Sequence, residues 1–453
     1  MVGSVDAQQF NGVRGSVFNS VVNTSSQPAS GGNMPAQWSL EILGAGTFWD
    51  NNIVRFNPLK IWKKDSIDLS RYLEKGDKKR YAMVKGNLHI LNFLFRLPKH
   101  QDWTVGVGWN IRSHTYGDNA DYAYDNHMRT AKEFFRQNAL NDSLTGRAVN
   151  QQWAAWYFNA SKVVKEDDYS KMTVGASLKF IKGLGAEVVE VSKLKAKDLS
   201  GSIPNYTSFI KAKGKYGYSQ NLDNMDNGKA LLHGSPLSIG LDVGFVYTDK
   251  TPVLIPGMED ENPADYNWKL SVALTDWGRL KYTFGQESRQ VDGLKSLQDI
   301  TNIHRMMDET GSLEEINDTL RHVFNMSPQE GTFTLSLPTM FHIGFDKNIG
   351  RHFYLNTHLG IDASFLNFGV DYRNRSLSYL MVTPRWEKKR IGVYVPAYVN
   401  EKGRFLLGAA VRLGPLMLGV HDFGWIFDKT RSGGAYFALV INGFSQKKEC
   451  DCF

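Results

Sequence analysis

The sequence predicts an all-β, single-chain antiparallel barrel that crosses a membrane. Three observations carry this. Apolar and polar residues alternate in steps of two through many segments, the period of an extended strand with two different environments. The apolar member of each alternation is nearly free of charge, whereas the other carries ionisable groups in mid-strand. Short turns alternate with long insertions, as in outer-membrane barrels. A soluble β-sandwich would share the first two features, so the third is the discriminator. No stretch approaches the roughly 18 uninterrupted apolar residues of a transmembrane helix.

The closing block shows the alternation best. Phe405, Leu407, Ala409, Val411 and Leu413 share one face, and Arg404, Leu406, Gly408, Ala410 and Arg412 the other. Gly414-Pro415 turns the chain, Leu416, Leu418 and Val420 follow on one face, and Ala435, Phe437, Leu439 and Ile441 alternate with Tyr436, Ala438, Val440 and Asn442. No open edge is tolerated in lipid, so this last strand must close onto the first.

In chain order, Trp38 to Asn57 is long and mostly apolar. Ala82, Val84, Leu88, Ile90 and Leu94 share a face, and Trp103, Val105, Val107, Trp109 and Ile111 alternate with small or polar residues. A strand covers 151–161. Met172, Val174, Ala176, Leu178 and Phe180 then oppose Lys171, Thr173, Ser177 and Lys179. A Lys- and Tyr-rich strand is read at 209–218. Leu237 to Phe245 alternates around Asp242, and Trp268 to Thr275 around Lys269. Phe333, Leu335, Leu337, Phe341 and Ile343 are placed on one face. Phe353, Leu355, Leu359 and Ile361 oppose His352, Tyr354, Asn356, His358 and Asp362. Strands near 376–386 and 391–399 lead into the closing block. This makes about 15 segments, and a bacterial barrel normally has an even number, so the expectation is about 14 strands, with 16 as the alternative. Trp38–Asn57 and 171–200, with its Gly183-Leu-Gly185, are the places where a strand could divide. The predicted lumen-facing residues are Lys179, Asp242, Lys269, His358, Asp362, Arg404 and Arg412.

Short turns are read at 98–102, 346–351 and 414–415, against insertions at 117–150 and 286–330; 57–80 and 249–267 are also long. Two helices interrupt the strands. Thr130-Ala-Lys-Glu133 and Ser312-Leu-Glu-Glu315 are capping boxes, in which the hydroxyl and the carboxylate satisfy free backbone N–H groups. The second predicts a helix from about Leu313 to Phe324, with Leu313, Ile316, Leu320 and Val323 as its packing stripe. Such helices cover the barrel mouth or bind a partner.

Three divisions follow: an N-terminal segment 1–37, a barrel 38–444 and a tail 445–453. Residues 8–37 are rich in Ser, Asn, Gly and Gln, so the segment either floats or tucks into the lumen as a plug. Val5-Asp-Ala7 resembles the end of a secretory signal, which would start the mature chain near Gln8.

Composition narrows the classes. The 453 residues include 11 Trp, 19 Tyr, 26 Phe and 42 Gly, which suits aromatic girdles and strand glycines. Mean hydropathy is −0.36, which does not suggest a helical membrane protein. The net charge of +7 comes from scattered Lys and Arg with short clusters such as Lys388-Lys389-Arg390, not from one basic face with interleaved aromatics, so no nucleic acid is expected. The two cysteines, Cys450 and Cys452, lie in the tail and cannot staple the fold.

Gly-x-Ser-x-Gly, His-Glu-x-x-His and Walker motifs are absent. His342, His352 and His358 approach one another across neighbouring strands near Asp362, as solvated lumen histidines or as a metal or proton site. No catalytic, cofactor or metal residue is assigned.

Three stretches carry a family resemblance: Val411-Arg-Leu-Gly-Pro415-Leu-Met-Leu-Gly-Val-His-Asp-Phe-Gly-Trp425; Ser238-Ile-Gly-Leu-Asp-Val-Gly-Phe-Val-Tyr247 with Trp268-Lys-Leu-Ser-Val-Ala-Leu-Thr-Asp-Trp-Gly278; and Asn23-Thr-Ser-Ser-Gln-Pro28-Ala-Ser. Together they resemble a Bacteroidota family of outer-membrane β-barrels of undefined function, broadly similar to FadL-like barrels and to barrels accompanying type IX secretion. The resemblance implies an outer-membrane location, a removed signal and about 14 strands. It also implies contact with lipid and lipopolysaccharide. In FadL-like barrels a hatch with an Asn-Pro-Ala turn plugs the lumen. Here Asn23 and Pro28 are the plug candidates, although four residues separate them. The expected role is a structural or accessory subunit of a larger outer-membrane assembly, for secretion or protein insertion, with other outer-membrane proteins or lipoproteins as partners. The alternative is a FadL-like channel or transporter for a small, apolar solute.

Overall fold

The structure, a computed structural model, describes residues 11–57, 74, 79–119, 131–139, 143–224, 233–250, 266–308, 312–350 and 352–444. Among these, alternation of side chains builds one antiparallel sheet that closes into a 14-strand barrel. Its wall begins with β1 (Trp38–Asn51), β2 (Tyr81–Arg96), β3 (Trp103–Asn119), β4 (Leu144–Glu166) and β5 (Ser170–Asp198). After β6 (Thr207–Tyr218) it resumes with β7 (Leu237–Asp249) and β8 (Trp268–Thr283). β9 (Arg289–Leu294) and β10 (Phe324–Pro328) stand above it. One wall path follows through β11 (Thr332–Ser336) and β12 (Met340–Gly350), then come β13 (Phe353–Asp362) and β14 (Tyr379–Glu387). The last four paths are β15 (Ile391–Tyr394) with β16 (Ala397–Asn400), β17 (Phe405–Leu407) with β18 (Ala409–Leu413), β19 (Leu416–Val420), and β20 (Ser432–Gly433) with β21 (Ala435–Gly443).

The seam closes by pairing β1 with β21, Trp38 opposite Gly443 and Gly46 opposite Tyr436, so neither is a free edge. The surplus segment of the sequence reading is 209–218. β6 pairs with the upper part of β5 and with β9, while β7 takes the lower part of β5 and continues the wall. Trp38–Asn51 is a single strand, and 170–198 stays continuous, its register slipping opposite Gln152 and Trp153 rather than breaking at the glycines.

The outward face is apolar. Leu91, Val107, Trp156, Phe158, Leu178, Val243, Leu407 and Ile441 are all exposed, whereas Lys179, Asp242, Leu406, Ala410 and Arg412 beside them are buried. Two alternations change face. Leu94 is buried inside because β2 bulges between His89 and Leu91, which reverses every side chain beyond. Phe333, Leu335 and Leu337 also point inward, while Phe341 and Ile343 keep the outward face. The ladder is interrupted at Leu337-Pro338-Thr339, between β11 and β12, and proline cannot donate to it.

One end of the barrel is joined by tight turns at 97–102, 167–169, 388–390 and 414–415; β12 runs on to Gly350, leaving only 351–352 as the turn there. Residues 250–267 are a long connection at this same end, so the asymmetry is incomplete. The other end carries the extension. There β6, β9 and β10 pack Phe209, Ala212, Phe324 and Ala196 of β5 against Ile300 and Ile303 of the helix Ile300–Asp308. The helix Leu313–Arg321 is capped as the sequence predicts: Ser312 Oγ accepts from the Glu315 amide at 3.2 Å, and Glu315 Oε2 accepts from the Ser312 amide at 3.2 Å. It stops before Phe324, which opens β10. Val323 is buried in the extension's core and Leu320 packs against it, with Ile316 half-buried, but Leu313 is exposed because the first turn overhangs the edge of that core. Thr130, which the sequence reading made a capping residue, lies outside the described residues, as do the cysteine tail and Met1–Gln8.

Leu407→Arg places a charge on the outward apolar belt and is expected to cost about 2–4 kcal/mol of folding stability in liposomes if it lies near the bilayer midplane. Ala410→Arg, one strand face away, is expected to fail instead by crowding Tyr394 and Met417, with no dependence on bilayer thickness.

Candidate functional site

Residues 11–37 lie inside the barrel as short helical turns, Asn11–Val13, Val17–Asn19, Ser20–Asn23 and Pro28–Asn33. Small and polar residues make this possible, because the segment must satisfy its own backbone in a confined space. Asn23 closes the turn: its Nδ2 donates to Ser16 O at 3.1 Å and its carbonyl accepts from the Gln27 amide at 2.8 Å. Pro28 starts the last turn, and its carbonyl accepts from Asn159 of β4 at 3.0 Å. Gly15, at φ +85°, leaves no room for a Cβ, which would collide with the Asp346 carboxylate. Gly175 of β5 is as tight, since a Cβ there would stand 2.6 Å from the Ala29 Cα.

The segment is held differently on its two sides. Toward β15–β21, Val13, Val21, Val22 and Met34 pack with Tyr394, Ala410, Met417, Tyr436, Ala438 and Val440. Toward β3–β14 the contacts are mostly polar, apart from Val17 and Phe18, which pack on Tyr266 and on Tyr354 of β13. Thr104 donates to Gly31 O at 3.3 Å, Gln27 donates to the carbonyls of Phe245 and Val272 at 3.3 and 3.2 Å, and Lys269 Nζ donates to Gly15 O at 2.8 Å. Ser16 donates to Glu387, and the Arg14 guanidinium meets His358. On this polar side a cavity of about 60 Å³ is lined by Ser20, Asn23, Ser26, Asn33, His342 and His358 among others, room for roughly four waters.

Beneath the segment the wall carries paired charges. Lys179 Nζ lies 2.6 Å from Asp242 and 2.7 Å from Asp276, and Arg112 is 2.6 Å from Asp276. Asp276 adopts φ +56° where the β7–β8 register shifts between Leu241 and Val243, which turns its amide onto Asp242 at 2.7 Å. A second knot joins Arg385 to Asp346 at 2.8 Å and to Glu387 at 3.1 Å. Such pairs hold because each buried charge has a partner.

The remaining predicted residues fall as follows. Arg412 stacks on Phe18 at 4.6 Å and donates to the Lys388 and Lys389 carbonyls at 2.6 and 2.9 Å. Arg404 reaches Asp50 at 3.7 Å and Ser432 at 3.1 Å. Asp362 sits at the root of the 363–378 loop, 3.3 Å from Arg375. His342 and His358 lie 3.1 Å apart, but His352 is in the turn at the tight-turn end and Asp362 faces Arg375 and Ser364. The third group beside the histidine pair is therefore the cation of Arg14, and among the described residues no set of three metal-ligating side chains assembles.

Two features were missed in the sequence. Asp276 and Arg385 complete the charge pairs and Arg14 meets the histidine pair; the Thr383, Arg385, Glu387 alternation was a legible signal for Arg385. The loop 363–378 folds back into the mouth. Leu377 packs with Phe48, Met83 and Met381, Ser376 meets His114 at 3.1 Å, and Asn374 donates to Gln151 at 3.2 Å. Above it opens a vestibule of about 820 Å³, lined by Arg147, Glu190, Val191, Tyr372, Arg373 and Arg375 among others.

A family model matches residues 28–421, which takes in the barrel wall from β1 to the end of β19. The chain belongs to the family of unknown function DUF5723. No curated protein matches it in sequence. Among solved structures it is similar to the Pseudomonas putida toluene transporter TodX (9% identity, TM-score 0.45, covering 94% of this chain and 95% of that one). It is similar also to the Ralstonia pickettii toluene transporter TbuX (10%, TM-score 0.43, 94% of each) and to a Pseudomonas aeruginosa FadL homologue (11%, TM-score 0.40, 94% of each).

Lys179→Met removes the cation shared by Asp242 and Asp276. It is expected to cost about 3–5 kcal/mol in reversible urea unfolding from lipid, because a buried carboxylate loses its partner. Lys99→Met, in an exposed turn, is expected to change nothing measurable.

Proposed function

We propose that this chain is an outer-membrane channel or transporter for a small polar solute, surrounded by lipid and lipopolysaccharide, with residues 11–37 as a displaceable plug. One observation carries the reading: the plug's larger apolar contact lies on one side of the lumen, whereas toward the other, apart from Val17 and Phe18 against Tyr266 and Tyr354, it is held by hydrogen bonds beside the small cavity. Polar contacts can be exchanged for water at little net cost, about 0.5–1.5 kcal/mol each, so that side is the one along which a path opens. The lining of Ser, Asn, His and Arg favours a polar solute over the apolar one expected from the resemblance. The mouth loop 363–378 is the second barrier on the same path.

The accessory-subunit role has no observation behind it in the structure, and neither has a protein partner, a link to type IX secretion or an origin in Bacteroidota. The geometry supports the channel reading better.

A covalent lock tests this. A Cβ at Gly31 would stand 2.8 Å from Ser161 Oγ of β4, a spacing that a disulfide can bridge. The oxidised Gly31→Cys/Ser161→Cys protein is expected to show no solute flux or conductance in planar bilayers, with recovery on reduction. Deleting residues 11–37 is expected to raise conductance above the parent's. Equal flux in the locked and reduced forms would remove the plug from the mechanism.

A further inference from the structure

The inner face of the β5–β6 hairpin, rising above the mouth, carries a ladder of lysines, only part of which the fold uses. Lys193 pairs directly opposite Lys213, and Lys195 opposite Lys211; Lys215 follows two residues on, opposite Glu190. Directly opposed residues of an antiparallel pair share a face, and i, i+2 residues of one strand share it too. All five ammonium groups therefore stand on one side. Lys215 identifies that side: its Nζ sits 4.6 Å over the ring of Tyr372, which lines the mouth vestibule. The opposite side is accounted for, because Leu194, Ala196, Ala212 and Val291 pack there under the helices.

Like charges set directly opposite each other are destabilising, and an exposed hairpin has no structural need for two such pairs in succession. The carboxylates facing the ladder are few. Asp292 of β9 takes Lys213 at 3.4 Å, and Glu190 takes Lys215 at 3.4 Å. Among the described residues, no ion pair is formed by Lys193, Lys195 or Lys211. At the foot of the ladder the vestibule adds Arg147, Arg373 and Arg375. Of its acidic residues, Asp118 is held by Arg147 at 3.0 Å and Asp371 accepts from the Thr334 amide and hydroxyl at 2.8 Å.

We propose that this wall and vestibule form a binding site for clustered anionic oxygen groups, of the kind carried by an oligophosphate or by a phosphorylated solute. Lys193, Lys195 and Lys211 supply the uncompensated charge, and Arg373 the contact at the base. Ammonium groups bind phosphate as point charges, and attraction at a partly exposed site is strong at low salt and fades as salt rises. The site names a class of solute for the conduit reading and depends on that reading for transport, not for binding.

The test is calorimetric titration of the full chain, in micelles free of lipopolysaccharide, with inorganic tripolyphosphate. The parent is expected to bind, and to weaken as salt rises. The Lys193→Gln/Lys195→Gln/Lys211→Gln variant is expected to lose at least about tenfold in affinity while keeping its melting temperature, because relief of the opposed pairs does not harm the fold. Lys99→Gln/Lys162→Gln/Lys165→Gln, which removes three charges at the tight-turn end, is expected to bind as the parent does. Lipopolysaccharide that competes for the parent but not for the ladder variant would identify lipid-borne phosphate as the source of the same chemistry; failure to compete identifies a soluble one. No binding by the parent, or equal loss in the two triple variants, overturns the site. Binding intact with no flux would instead count against the conduit alone.

Discussion

Every other feature of this molecule depends on the pairing of β1 with β21. In hydrocarbon an unpaired ladder of N–H and C=O groups has no water to turn to. The closing pair must therefore form, and the strand number must be even for both ends of the wall to finish at the same rim. That constraint explains why β6 is excluded from the wall although its sequence alternates well, and why β5 runs to 29 residues while shorter strands span the belt: it serves two neighbours along one edge, with β7 on its lower part and β6 on its upper. It also places the N-terminal segment. The chain enters β1 at the tight-turn rim, so residues just before Trp38 stand at the lumen entrance and are captured by it.

The closed wall then dictates the electrostatics. Outward positions must be apolar, and all polar variety is pushed inside, where each charge needs an opposite. The Lys179, Arg112, Asp242 and Asp276 set and the Arg385, Asp346 and Glu387 set meet that need from neighbouring strands. The N-terminal segment supplies what the wall leaves open: Arg14 reaches the histidine pair, and the Gly15 carbonyl takes Lys269.

The sequence showed the wall more clearly than the site. Period-two alternation is local, so Phe405–Leu413 and Met172–Phe180 could be oriented from their own residues. It failed at Leu94 and at Phe333–Leu337, where a bulge and a proline break shift the register by an amount that no local pattern encodes. The inward charges of Lys179, Asp242 and Arg412 were legible because they interrupt an apolar rhythm. Their partners were not, because Asp276 lies 97 residues from Lys179 and is turned inward by an unusual backbone angle. The 363–378 loop has neither helical nor strand periodicity, and its burial comes wholly from the shape of the mouth it fills.

The packing of Val13, Val21 and Val22 against Ala410, Met417, Ala438 and Val440 has a consequence for biogenesis. The earliest residues of the segment rest on the latest strands of the wall, separated by nearly the whole polypeptide. Loop-closure entropy must be met before such distant contacts return any stabilisation, which makes assembly slow. Until the final hairpin arrives, those valines have no surface to rest on. The last strand therefore seals the enclosure around a guest that was synthesised before the wall.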